Sequence, residues 1–265
     1  MSLETAYAYC EMQARDGARD RWLGSLFAPA LLRRHLQALI AFEMEMGRLR
    51  VAVRDPRAGE IRLVWWREAF SGDRTGEAQA NPVAAALLDT LEKFRPPPHL
   101  IENAVTGRQV DLYDDPFPTV SHLEGYLGET RSGLLQIAAY VLGEGRDLGA
   151  AETSGLAGVA LGLIELLRGG PRPLAFAPLD LLQRHGASAD DWREGRAAAA
   201  RADLIALARR RLAEAEAARA KLPKALSPAY AGLATAPLWL DALTPPREVA
   251  AWRRQWALWR WSRRH

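Results

Sequence analysis

Residues 36–53 place apolar side chains at helical spacing, and this constrains the fold more than any other stretch of the chain. Leu36, Leu39, Ile40, Phe42, Met46, Leu49 and Val53 lie close to an i, i+3, i+4, i+7 stripe, with Gly47 the only breaker inside it. That spacing predicts a helix facing a core. Asp55-Pro56 ends it, because proline has no amide proton and its ring clashes with a preceding helical turn. A second helix is expected over residues 61–70. No segment alternates apolar and polar residues long enough for a strand, and no repeat or heptad seam is present. The expected class is all-α.

The rest of the chain gives the same reading. Ser2 can cap a first helix reaching about Ala18. Residues 20–27 form a short segment before the long helix, and residues 71–79 read as a polar loop. Asn81-Pro82 opens a helix over residues 83–94, with Asn81 as N-cap and Pro82 in the first turn. Arg95 and three prolines make a stiff elbow, after which helical pattern resumes. Residues 119–142 read as one long helix, capped by Thr119 or Ser121 with Glu124 completing a capping box. Further helices are expected over residues 153–168, 179–187, 196–222 and 227–243. Residues 1–265 are expected to form one domain, with an Arg/Trp-rich helix over about 245–265.

A chain of 265 residues can bury a proper core. The formal net charge is only +3, but Lys93, Lys221 and Lys224 are the only lysines among 35 basic residues. Arginine suits phosphate and lipid head groups; a bias in gene base composition is the plainer explanation. Cys10 is the only cysteine, which excludes an internal disulfide and a multi-cysteine zinc site and suits a reducing compartment. No secretory signal is expected, and no run approaches about 18 apolar residues. The expected location is the cytoplasm, with peripheral contact at the inner membrane face. The five histidines show no HExxH spacing, and there is no P-loop, no G-x-G-x-x-G and no G-x-S-x-G.

The stretch around Phe42, together with the phrase GEIRLVWWRE at residues 59–68, resembles the squalene/phytoene synthase family. That family joins two prenyl diphosphates head to head. The resemblance covers about residues 20–240 and implies the isoprenoid-synthase helical bundle with a central cavity. In active members the first inner helix carries D-D-x-x-D, and the matching positions here are Gly47, Arg48 and Val51. The second aspartate helix matches residues 162–173, where its two aspartates are Gly169 and Pro173. Tyr126 and Gly133 match a family tyrosine and glycine. The phrase at residues 59–68 is similar to the non-catalytic branch, which includes a mitochondrial complex I assembly factor.

The family's reaction needs Mg²⁺ to neutralise a leaving diphosphate, held by carboxylates at i and i+4 on facing helices. With no acid at the five matching positions, the resemblance implies a degenerate site with no catalytic residue, no metal and no cofactor; Mg²⁺ enters only if the chain is instead a divergent prenyl or terpene transferase. Glu43, Asp111 and Glu165 are then the replacement ligands. Glu43 and Glu45 point to different sides of their helix. The structural alternative pairs Glu165 with Arg48 as an internal ion pair, and a third reading has Arg48 and Arg168 bind a phosphate or lipid head group. The acids at 111, 114 and 115 read as solvated or capping groups rather than a metal site.

Trp252, Trp256 and Trp259 follow i, i+4, i+7 and are interleaved with Arg253 and Arg260. Packing on the bundle and contact with a membrane interface are both open for this stripe; nucleic acid is not expected, since overall charge is nearly balanced. The expected function is a non-catalytic assembly or lipid-associated factor, with a protein partner in respiratory-complex assembly. The alternatives are the divergent transferase and a carrier holding an isoprenoid or lipid in the cavity.

Overall fold

The computed structural model describes residues 1–52, 55–113, 115–169 and 177–264, and only the backbone of residues 50–52. Among them are α1 (Leu3–Gly17), α2 (Arg19–Ser25), α3 (Ala30–Ala52), α4 (Pro56–Ser71), α5 (Thr75–Ala80), α6 (Pro82–Phe94) and α7 (His99–Thr106). After a 3₁₀ turn at Gly107–Leu112 come α8 (Val120–Leu127), α9 (Gly133–Leu142), α10 (Ala151–Arg168), α11 (Leu179–Arg184) and α12 (Ala189–Arg193). The chain continues through α13 (Ala198–Arg219), a 3₁₀ segment at Lys224–Tyr230, α14 (Gly232–Asp241) and α15 (Ala251–Arg264). The described residues contain no strand, only an isolated bridge between Leu243 and Pro246. The all-α class stands.

The stripe on α3 becomes the core. Leu36, Leu39, Phe42, Met46 and Leu49 are all buried, and the helix packs against α1, α6 and α9. Trp66 of α4 lies edge-on to Phe42 with ring centroids 5.0 Å apart, and Phe70 closes the cluster. Fully burying a side chain of this size is worth roughly 1.5–3 kcal/mol. On the other side α10 runs between α13, α14 and α9. Both α3 and α10 therefore lean on α9, and a polar cavity opens between them.

The local signals at the helix starts hold. Ser2 accepts from the Thr5 amide, and the Asn81 side chain accepts from the Val83 and Ala84 amides. Residues 71–79 differ from expectation: Arg74 binds Glu68 and Glu77, and these bonds fold the stretch into the short helix α5.

The larger difference lies in residues 119–142. Thr119 caps α8, while Glu124 reaches Arg211 instead of closing a capping box. The expected single helix is split by a π-helical turn at Gly128–Ser132. Such a turn inserts an extra residue and changes which side chains face inward. It is held by the Thr130 hydroxyl, which donates to the Tyr126 carbonyl at 2.7 Å. Two glycines on one face of α10 make room for it. A Cβ on Gly158 would lie 2.7 Å from the backbone of Ser132, and one on Gly162 would run into Leu127.

Candidate functional site

The cavity between α3 and α10 has a volume of about 270 Å³ and contains mostly charge. Four guanidinium groups, Arg21, Arg48, Arg108 and Arg131, face three carboxylates, Glu43, Asp111 and Glu165. Arg131, in the π turn, pairs its Nη1 with Glu43 Oε1 at 3.1 Å and donates from Nη2 to Glu165. It thus clamps α3 to α10. Glu43 takes a second guanidinium from Arg21 of α2. Burial works to raise the Glu165 carboxyl, but the charge of Arg131, reinforced by Arg21, outweighs it and holds the group down at about 2. Glu165 also lies at the mouth, half exposed, so solvent screens part of that pull.

A second, deeper group sits beside the first. Arg108 Nη1 donates to Asp111 Oδ2 at 3.2 Å and to the Tyr126 hydroxyl at 3.2 Å, and that hydroxyl donates to Asp111 Oδ1 at 2.6 Å. Burial pushes the Tyr126 phenol up; Arg108 opposes the shift and Asp111 adds to it. Tyr126 therefore keeps its proton and serves as a donor. The buried Nε of Arg108 has no hydrogen-bond partner among the described residues.

Of the residues singled out from sequence, Glu43, Gly47, Arg48, Asp111, Tyr126 and Glu165 all line this cavity. Three details differ from expectation. Arg48 does not pair with Glu165; its Nη1 reaches Gln13 at 3.3 Å, and Arg131 takes the place expected for it. Arg168 lies outside the cavity, stacked 3.3 Å from the ring centroid of Trp239. Asp111 is buried and paired, whereas a solvated or capping acid was expected. Asp115 is exposed, and Asp114 lies outside the described residues. Gly169 caps the end of α10, the side chain of Val51 is not described, and Pro173 lies outside the described residues. As expected, Glu45 points away from Glu43, toward Arg62.

The donor set does not fit Mg²⁺. That ion needs near-octahedral oxygen ligation at about 2.0–2.1 Å. Each cavity carboxylate already holds an arginine, and four guanidinium charges would oppose a dication in the same space. No cluster of three or more metal-binding side chains occurs among the described residues.

Behind Glu43 lies an apolar recess between Leu36, Leu39, Leu134, Ala138 and Leu161, of only about 80 Å³. Pockets for organic ligands usually measure about 300–1,000 Å³. A larger groove, about 860 Å³, runs elsewhere, between Phe70, Leu88, Leu91 and the three prolines, and contains none of the site residues singled out from sequence.

A bundle whose inner helices frame such a cavity is the isoprenoid-synthase fold. The chain belongs to the squalene/phytoene synthase family, whose profile matches residues 14–260. A ligand-bound dehydrosqualene synthase superposes with a TM-score of 0.77 at 17% identity, over 99% of this chain and 97% of that one. The squalene synthase HpnC from Alicyclobacillus acidocaldarius gives 0.72 at 22% identity, over 92% and 94%. By sequence the chain is similar to NADH dehydrogenase (ubiquinone) complex I, assembly factor 6, of Mus musculus. The two share 28% identity over 191 residues, 71% of this chain and 57% of the relative. The Homo sapiens protein of that name gives 28% over 69% and 56%. The 15-cis-phytoene synthase of Synechocystis is 26% identical over 73% of this chain and 62% of its own length. The chain thus spans less than three fifths of the mouse and human relatives.

Proposed function

We propose that this chain works without prenyl transfer, as an assembly factor of the respiratory complex I type. The observation that carries this reading is the clamp between Glu43, Arg131 and Glu165. It occupies, with the protein's own cations, the carboxylates that a metal would need. Three further points support it. The positions matching the family's aspartates hold Gly47, Arg48, Val51, Gly169 and Pro173; the apolar recess is too small for a prenyl chain; and the mouse and human relatives carry the assembly-factor name. The bundle then acts as a rigid body offered to a protein partner, at the cytoplasmic side of the membrane.

The test has two arms. Farnesyl and geranylgeranyl diphosphates with Mg²⁺ should release no pyrophosphate above the no-protein control, while an active family member does. Release would replace this reading with a divergent transferase, with Glu43, Asp111 and Glu165 as ligands. Cells lacking the chain should show less assembled complex I on native gels, restored by the gene; an unchanged level would remove the assembly role.

A further inference from the structure

The helix α15 presents two faces with different tasks. Its inner face is anchored: Leu258 and Trp261 are buried, and Arg254 Nη1 donates to both oxygens of Asp20 at 2.8 and 2.9 Å. Its outer face carries Trp252, Trp256 and Trp259, which are 68%, 54% and 47% exposed. At about 100° per residue, the three indoles cluster within roughly 60° of one another, and the anchoring residues centre about 180° away. The stripe therefore faces away from the anchored side, with Trp252 and Trp256 also bordering a groove against α14. Trp256 and Trp259 stack with centroids 4.8 Å apart, and Arg263 lies over Trp259.

The charge on this helix has one sign. Ala251–Arg264 contains Arg253, Arg254, Arg260, Arg263 and Arg264 and no acidic residue. Among the described residues only Arg254 of this helix forms an ion pair, and Arg253 and Arg260 lie exposed together on one side of the indole stripe, at about 90° to it. Beside the stripe a groove of about 540 Å³ runs along Leu233, Pro237 and Leu238 of α14, extending the apolar area.

We propose that the outward face of α15 docks on an anionic lipid bilayer. Large apolar side chains held in solvent signal a surface to be covered. Indoles settle at the head-group level of a membrane, and an amphipathic helix lying in that plane buries its apolar face about 5–10 Å deep. Arginines beside the stripe meet the lipid phosphates, which supply the negative charge the helix itself lacks. Among the described residues no helix is long and apolar enough to cross a membrane, so this contact is at the surface. The inference stands apart from the cavity's chemistry and holds whatever the pyrophosphate assay gives.

The test is flotation of the full chain with phosphatidylcholine vesicles, with and without phosphatidylglycerol, followed also by indole fluorescence. The chain should float with the anionic vesicles alone, shift its emission to the blue, and detach as salt rises. Trp252→Ser, Trp256→Ser and Trp259→Ser together should abolish flotation while the chain keeps a cooperative melt, since Leu258, Trp261 and the Arg254–Asp20 pair still anchor the helix. Arg253→Ala with Arg260→Ala should lower partitioning roughly 30-fold. The proposal is overturned if the chain stays with the soluble fraction, floats equally on pure phosphatidylcholine, or floats undiminished as the triple variant. It is overturned too if the wild type is a dimer that the triple variant makes monomeric and no vesicle binds, which assigns the stripe to a second copy.

Discussion

Acidifying the protein from about pH 7 to about pH 4 should remove about 3 kcal/mol of stability through one side chain, His35. Its ring is wholly buried on α3, edge-on to Tyr7 and Phe94. The hydrogen bonds fix its tautomer. Thr90 donates to the Ala86 carbonyl, so its oxygen accepts from His35 Nδ1 at 2.9 Å. The Tyr7 hydroxyl donates to Asp89 and shares the same imidazole N–H at 2.8 Å. The proton thus sits on Nδ1, and the lone pair of Nε2 faces Arg34 Nε at 3.5 Å. A second proton would have to enter on that side, against a guanidinium. Burial first, then Lys93 and Arg34, push the imidazole down from 6.5 to about 4, with Asp89 opposing.

The sign follows from where the protons go. Between about pH 6.5 and 4 the unfolded chain binds a proton at this residue and the native one does not, so stability falls on acidification across that window. At about 1.4 kcal/mol per pKa unit, the loss is about 2 kcal/mol near pH 5 and about 3 near pH 4. Carboxylates titrate in part of the same range, so the measurement is a difference. Urea unfolding of the wild type and of His35→Gln is followed from about pH 8 to pH 4. The variant loses packing on Phe94 at every pH, a constant offset, and the gap between the two should narrow by about 3 kcal/mol toward the acid end. Parallel profiles, or an imidazole resonance titrating near its ordinary value, would refute the reasoning.

Replacing Arg131 by Met should cost about 2 kcal/mol, less than the 3–5 usual for breaking a buried pair, because Glu43 keeps Arg21 and Glu165 reaches water. An unmoved urea midpoint would show that the clamp is not needed. Gly158→Ala should lower stability by about 1–3 kcal/mol, because its new methyl meets the fixed backbone of the π turn at Ser132. The same change at Gly47, where a Cβ meets nothing within 4 Å, should be neutral or stabilising and serves as the control on thermal melts. Asn81→Ala removes two amide partners at the start of α6 and should cost about 1 kcal/mol in the same assay.

What could be read from sequence was what depends on neighbours along the chain. The stripe on α3 is set by spacing, and the caps at Ser2 and Asn81 by residues two or three away. The family likeness then brought Glu43, Asp111 and Glu165 to one cavity and marked Tyr126 as a matched position. Arg131 was missed because the family likeness drew attention to the matched aspartate positions, while the π turn that carries it, given room by glycines about 30 positions away on α10, lies in a stretch that reads as plain helix. One signal was available. Arg131 continues the apolar run Leu123, Leu127 and Leu134, and a lone cation on a buried face implies a hidden carboxylate. The pairing was assigned to Arg48 instead, because Arg48 stands at a matched aspartate position facing the second aspartate helix. The tail's two faces were open because spacing aligns the tryptophans but does not say which way the helix is turned; Leu258, Trp261 and the bond from Arg254 to Asp20 decide that.

The clamp at Arg131 has a consequence for how this protein meets a changing cell. A site that needs a bound ion or substrate gains stability by mass action, about 2.7 kcal/mol when the ligand stands at a hundred times its dissociation constant, and loses it as the ligand is depleted. Here the counter-charges are covalent parts of the chain, present at fixed stoichiometry from the moment of synthesis. Its carboxylates are neutralised before any solute arrives, so the bundle should keep one shape through swings in magnesium or diphosphate supply. On the function proposed above, a body held by partners keeps that independence, which a working enzyme gives up in order to bind.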